Sequence, residues 1–231
     1  MISKRFLAAA LFAATAVSPA MAQDIDTTGG ATTILTGVGT SSINAMGSTF
    51  TVGAQTQLDS FSFSLADPNR FNSADYLFKA YIYAWNGSSP IGTALYESSL
   101  QQYAFGPSGR EYSFDTGGIA LDSGEKYVLF FSNAGVQASD ATKGVGTKFQ
   151  RQDVYAGGEL VFSLGGDGFS SMLAGPWTTS GSVRGTYDMA FKVDFSDPAG
   201  VPEPAAWGMM IGGLGLAGAS MRHRRRKAAL A

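Results

Sequence analysis

Residues 187–195, YDMAFKVDF, carry an apolar side chain at every second position. A period of two belongs to a strand with one buried face and fits no helix. Tyr187, Met189, Phe191, Val193 and Phe195 would share the buried face, leaving Asp188, Ala190, Lys192 and Asp194 on the other. The same alternation appears in FSFSL at 61–65. YLFKAYIYAW at 76–85 and KYVLFFS at 126–132 are nearly continuous aromatic and branched runs, as expected of central strands covered on both faces. ELVFSL at 159–164 adds a further strand. Turn chemistry separates these runs: Asn86-Gly87 marks a hairpin into PIGTALYESSL, Asp122-Ser123-Gly124 precedes EKYVLFF, and Gly165 to Gly168 follows ELVFSL. No core run longer than ten residues keeps a helical period. The expected fold is all-β, an antiparallel β-sandwich of jelly-roll-like character over 23–195. Residues 23–48, rich in Thr, Ser and Gly, are either a first strand pair or a flexible lead-in.

Sixteen Phe and nine Tyr supply a core, so wholesale disorder is excluded. The formal charge of −2 hides an asymmetry. Between residues 23 and 200, nine basic residues face seventeen acidic ones, so that segment is near −8. Phosphate backbones require Lys and Arg, and an acidic core argues against nucleic acid as a partner. There is no cysteine, which removes disulfides, thiol catalysis and thiolate metal sites. The one histidine, His223, lies in a basic tail, so a Ser-His-Asp triad cannot form in the core.

The two ends read as addresses. In residues 1–22, Lys4 and Arg5 precede an apolar run, and Ala20 and Ala22 give a small-x-small site before Gln23, as in a secretory signal peptide. A linker, 196–201, leads to the other end. There Pro202, Glu203, Pro204 and Trp207 are followed by an apolar Gly-rich stretch at about 205–221, near the lower limit for a transmembrane helix. Arg222, Arg224, Arg225, Arg226 and Lys227 then form a basic stop, which the positive-inside rule keeps in the cytoplasm. Both ends put the intervening domain on the outer side of the membrane.

PEPAAW, the short apolar span and RHRRRK resemble the PEP-CTERM sorting signal of the PEPxxWA kind, over 202–227. Gly208 stands where that kind usually has Ala. The resemblance implies recognition in the inner membrane by an exosortase, cleavage near the PEP triplet, and release or re-anchoring at the surface of a polysaccharide-producing Gram-negative cell. Signal peptidase and exosortase are the partners expected during export, and the inner membrane is a transient one. Extracellular polysaccharide is the candidate partner afterwards.

Chemistry in the core is sparse. Glycoside hydrolysis needs only two carboxylates, and the chain has many, but most sit beside Gly, Ser, Asn or Pro, where turns and caps use them. Trp85, Trp177 and Tyr155 lie near Gly-containing turns and are candidate platforms for sugar rings. Asp67, Asp167 and Asp188 are candidate calcium ligands, although no EF-hand or repeat spacing supports them. No other cofactor and no catalytic residue is expected. The reading is an exported surface or biofilm-matrix protein that is structural or adhesive, with a carbohydrate-binding module as the alternative and a glycoside hydrolase behind it.

Overall fold

The computed structural model describes residues 24–40, 43–66, 75–104, 109–140, 142–164, 168–183, 187–198 and 208–215. The chain divides into two units, 22–198 and a second made of 1–21 with 199–231. In the second, 208–215 is helical and exposed. The rest of the expected span at 205–221, the signal-peptide residues Ala20, Ala22 and Gln23, the linker beyond 198, Pro202, Glu203, Pro204, Trp207 and the basic tail lie outside the described residues. Among the described residues no helix is long and apolar enough to cross a membrane.

The larger unit is built from strands. In chain order they are β1 (Ile25–Asp26), β2 (Thr33–Val38), β3 (Ala45–Thr51), β4 (Gln57–Ala66), β5 (Leu77–Trp85), β6 (Pro90–Glu97), β7 (Gln101–Gln102) and β8 (Arg110–Ala120). Then come β9 (Lys126–Ser132), β10 (Val145–Gln150), β11 (Leu160–Ser163), helix α1 (Phe169–Ala174), β12 (Thr178–Thr179), helix α2 (Ser180–Val183), β13 (Asp188–Met189) and β14 (Phe191–Ser196). They form two antiparallel sheets. One runs β1-β14-β4-β10-β13, with β2 on β10 and β8 on β4; the other runs β12-β11-β3-β9-β5-β6, with β7 on β5. The chain changes sheets between β2 and β3, β3 and β4, β4 and β5, β7 and β8, β8 and β9, β9 and β10, β10 and β11, and β12 and β13. The early segment 23–48, whose sequence left two readings open, therefore supplies three strands.

β4 organises the first sheet. Ser60 to Phe63 pair with β14 and also with β8, so those strands must flank β4 on opposite sides. Phe61 and Phe63 point inward and are fully buried, while Ser62 and Ser64 point away, as the alternation requires. Phe61 stacks on Phe114 at 5.0 Å within the sheet, and Phe63 stacks on Phe131 at 5.3 Å across to β9 of the other sheet. Aromatic pairs of this kind add about 1 kcal/mol beyond their buried area.

β5 and β9 explain their continuous apolar runs by having both faces covered. Phe78, Ala80 and Ile82, with Leu129 and Phe131, face the inter-sheet core. Tyr81, Tyr83, Trp85, Val128 and Phe130 face the other way, into a second cluster with Ala45, Val161, Met172 and Trp177. That outer layer is roofed by α1 and the segment after it. With only six residues, α1 shows no readable period in the sequence.

The alternation at 187–195 holds for Met189, Phe191, Val193 and Phe195, which are buried, but the opposite face is not uniformly wet. Asp188 and Ala190 are buried as well, Asp188 completely. The expectation of a solvent-facing Asp188 is corrected here. The segment 151–159 folds over it and donates two backbone hydrogen bonds to its carboxylate.

Candidate functional site

At one edge of the larger unit, β2 and β10 of one sheet and β11 of the other enclose a cavity of about 230 Å³. Leu35, Ile43, Leu160 and Phe162 form apolar walls, Phe149 and Tyr187 contribute rings, and Arg151 and Ser180 supply the polar atoms. The strand register explains the arrangement. Phe149 pairs with Thr33 on β2 and with Met189 on β13, so its ring sits between two neighbours. It meets the Tyr187 ring at 5.4 Å between centroids. Ser180 Oγ accepts a hydrogen bond from the Tyr187 amide at 3.0 Å and donates to the Tyr187 carbonyl at 3.3 Å, which holds that ring in place.

Arg151 follows β10 directly and is exposed. The ion pairs among the described residues join Lys79 to Glu97, and Lys192 to Asp26 and Glu111; Arg151 is in none of them. A second hollow of about 260 Å³ shares Phe149 and Arg151 and continues outward along Gly30, Thr32, Thr33, Gln150 and Gln152. Gln150 is already engaged there, its amide donating to the carbonyls of Thr27 and Gly29. The two hollows share Phe149 and Arg151 along one cleft, the first with mainly apolar walls and the second with mainly polar ones.

The residues singled out from the sequence lie elsewhere. Trp85 and Trp177 are only 8% and 5% exposed. They meet edge to face at 6.1 Å inside the outer cluster, and Trp177 Nε1 donates to the Met172 carbonyl at 3.0 Å. The Asn86-Gly87 turn forms as its sequence suggests, with Asn86 Oδ1 accepting from the amides of Ser88 and Ser89. The Ser88 carbonyl in turn receives the Trp177 amide. Tyr155 is half-buried; its hydroxyl accepts from the Thr51 amide at 3.1 Å and donates to the Thr51 carbonyl at 3.2 Å, replacing a strand partner for that residue.

Of the candidate calcium ligands, Asp67 and Asp167 lie outside the described residues. Asp188 Oδ2 accepts from the amides of Val154 at 2.7 Å and Tyr155 at 2.9 Å, while Oδ1 has no hydrogen-bond partner. Burial pushes this carboxyl above its usual pKa, Asp153 and Glu159 add repulsion, and the two amides act in the opposite sense. Among the described residues no group of three or more acidic, His or Cys side chains is arranged to hold a metal ion.

Most other described carboxylates are tied into local structure. Asp26 accepts from the Thr28 hydroxyl and amide, which lowers its pKa. Glu111 accepts from Ser62, Asp194 from Ser60, Asp59 from Ser196, Asp115 from the Gly117 amide and Asp24 from the Phe195 amide. Glu97 pairs with Lys79 at 2.5 Å.

The PEP-CTERM protein-sorting motif matches residues 200–226. No curated protein is significantly similar to the chain. Among solved structures, the chain is similar to the cysteine protease and lectin-like domains of Cwp84, a surface layer associated protein of Clostridium difficile, at 14% identity and a TM-score of 0.41. That alignment covers 68% of this chain and 32% of the other, so the chain spans about a third of that structure's length. The sorting motif marks an exported protein that is processed by an exosortase on its way toward the cell surface.

Proposed function

We propose that the chain delivers a non-catalytic, jelly-roll-like β-sandwich to the cell surface, where it acts as a structural or adhesive component of the extracellular matrix. The observation that carries this reading is the sorting motif at 200–226, placed directly after a domain closed by β14. Removal of the signal peptide at Gln23 and of the tail near Pro202–Pro204 would leave the sandwich as the mature product. The described carboxylates support a structural role, because most hold turns and strand edges together. The packing of Trp85 and Trp177 favours structure over sugar stacking, since neither ring presents an open face.

The address is tested in the host. With a tag inserted in an exposed turn, Pro202, Glu203 and Pro204 replaced together by Ala should leave a full-size precursor in the membrane fraction. Processing and release at the wild-type rate would overturn the reading.

A further inference from the structure

We propose that the cleft at Phe149 and Arg151 binds a small amphipathic carboxylic acid, its apolar body in the inner cavity and its carboxylate on the guanidinium. Size comes first. A cavity of roughly 150 Å³ lined by aliphatic and aromatic side chains takes up benzene. At about 230 Å³, this one has room for a single ring with a short side chain, or for a medium acyl chain. The walls decide the chemistry of the body. Leu35, Ile43, Leu160 and Phe162 offer no hydrogen bonds, and Ser180 Oγ is committed to the Tyr187 backbone. A sugar placed there would leave buried hydroxyls unpaired, at about 1–3 kcal/mol each. An aromatic or aliphatic body leaves no hydroxyl unpaired and packs against the side chains of Phe149 and Tyr187 that line the cavity.

Arg151 decides the head group. It sits at the junction of the apolar and polar hollows, exposed, and free of any ion pair among the described residues. In a domain carrying nearly twice as many acids as bases, such a cation is a local exception. Its planar fork matches a carboxylate with two parallel hydrogen bonds, which a hydroxyl or an amide cannot accept equally well. The inference does not depend on the matrix role proposed above, because the cleft is formed by the sandwich alone.

The exported, processed protein recovered from an expressing host is titrated calorimetrically with 3-phenylpropionate and with its neutral counterpart 3-phenylpropanol. Saturable one-to-one binding of the acid is expected, with the alcohol bound about tenfold more weakly. Arg151→Gln, an exposed change that leaves the walls intact, should weaken the acid about tenfold and leave the alcohol as before. Leu35→Phe, which fills the cavity, should abolish binding of both. Thermal melts establish that each variant is folded. No saturable binding by the wild type, equal affinities for acid and alcohol, or an unchanged affinity in Arg151→Gln would each overturn the proposal.

Discussion

Asp188 shows how one side chain can be both useful and costly. Its Oδ2 anchors the amides of Val154 and Tyr155, fixing the segment that carries the chain from β10 to β11. Asp188→Ala would strand both donors and should cost about 2 kcal/mol in urea unfolding. The charge itself works against the fold, because burial raises the folded pKa above the unfolded one. The stabilisation linked to that raised value is complete below the unfolded pKa and is lost as pH climbs through the folded one. Asp188→Asn keeps the acceptor and removes the titration. Its stability relative to wild type should therefore improve between about pH 3 and about pH 7, and a flat difference across that range would count against a buried charge. From the sequence alone Asp188 belongs to the wet face of a strand. Only contact with a segment more than thirty residues away in the chain buries it, and no local pattern records that.

At the scale of elements, the outer layer on β5 and β9 is the part least visible beforehand. Continuous runs at 76–85 and 126–132 announce that both faces are covered, yet they do not say by what. The cover is α1 with Trp177, and Met172 and Trp177 enter the same cluster as Tyr81, Tyr83 and Phe130. Trp177→Ala would empty the centre of that layer and should cost about 3–5 kcal/mol, read as a lowered urea midpoint. A cost near zero would mean that the cover is dispensable. The segment leading into β11 is held as closely. A Cβ on Gly158 would lie 1.8 Å from the Thr49 carbonyl oxygen, so only glycine lets 151–159 approach β3. The cleft was equally hidden, since Leu35, Phe149 and Phe162 come from three strands and two sheets. β4, β5, β6, β9, β11 and β14 were legible, because alternation and Asn-Gly chemistry are local, whereas β3, β8 and β10, each interrupted by glycine, did not stand out.

Across the whole molecule, the repeated changes of sheet make nearly every strand depend on a distant one. Among the described strands β1 pairs with β14 alone, and residues 57–63 of β4 lie beside β14. A chain ending at residue 187 should lack cooperative unfolding and near-ultraviolet dichroism, whereas a native-like spectrum would show that β14 is optional. Such a topology folds slowly, since distant pairings must form before they are rewarded. Among the described strands β14 is the last in the chain, so the first sheet cannot be completed before residue 196 is in place.

The pairing of β14 with β4 also has a mechanical side. β14 runs antiparallel along β4, from Phe191 opposite Phe63 to Ser196 opposite Gln57, and the chain leaves at Ser196 toward the sorting tail. Tension arriving through that exit acts along the axis of β14 and loads its ladder in shear, all rungs together. β1 begins at the same rim, where Asp24 accepts from the Phe195 amide. Pulling on the uncleaved precursor through its tail would therefore meet the β14–β4 ladder lengthwise.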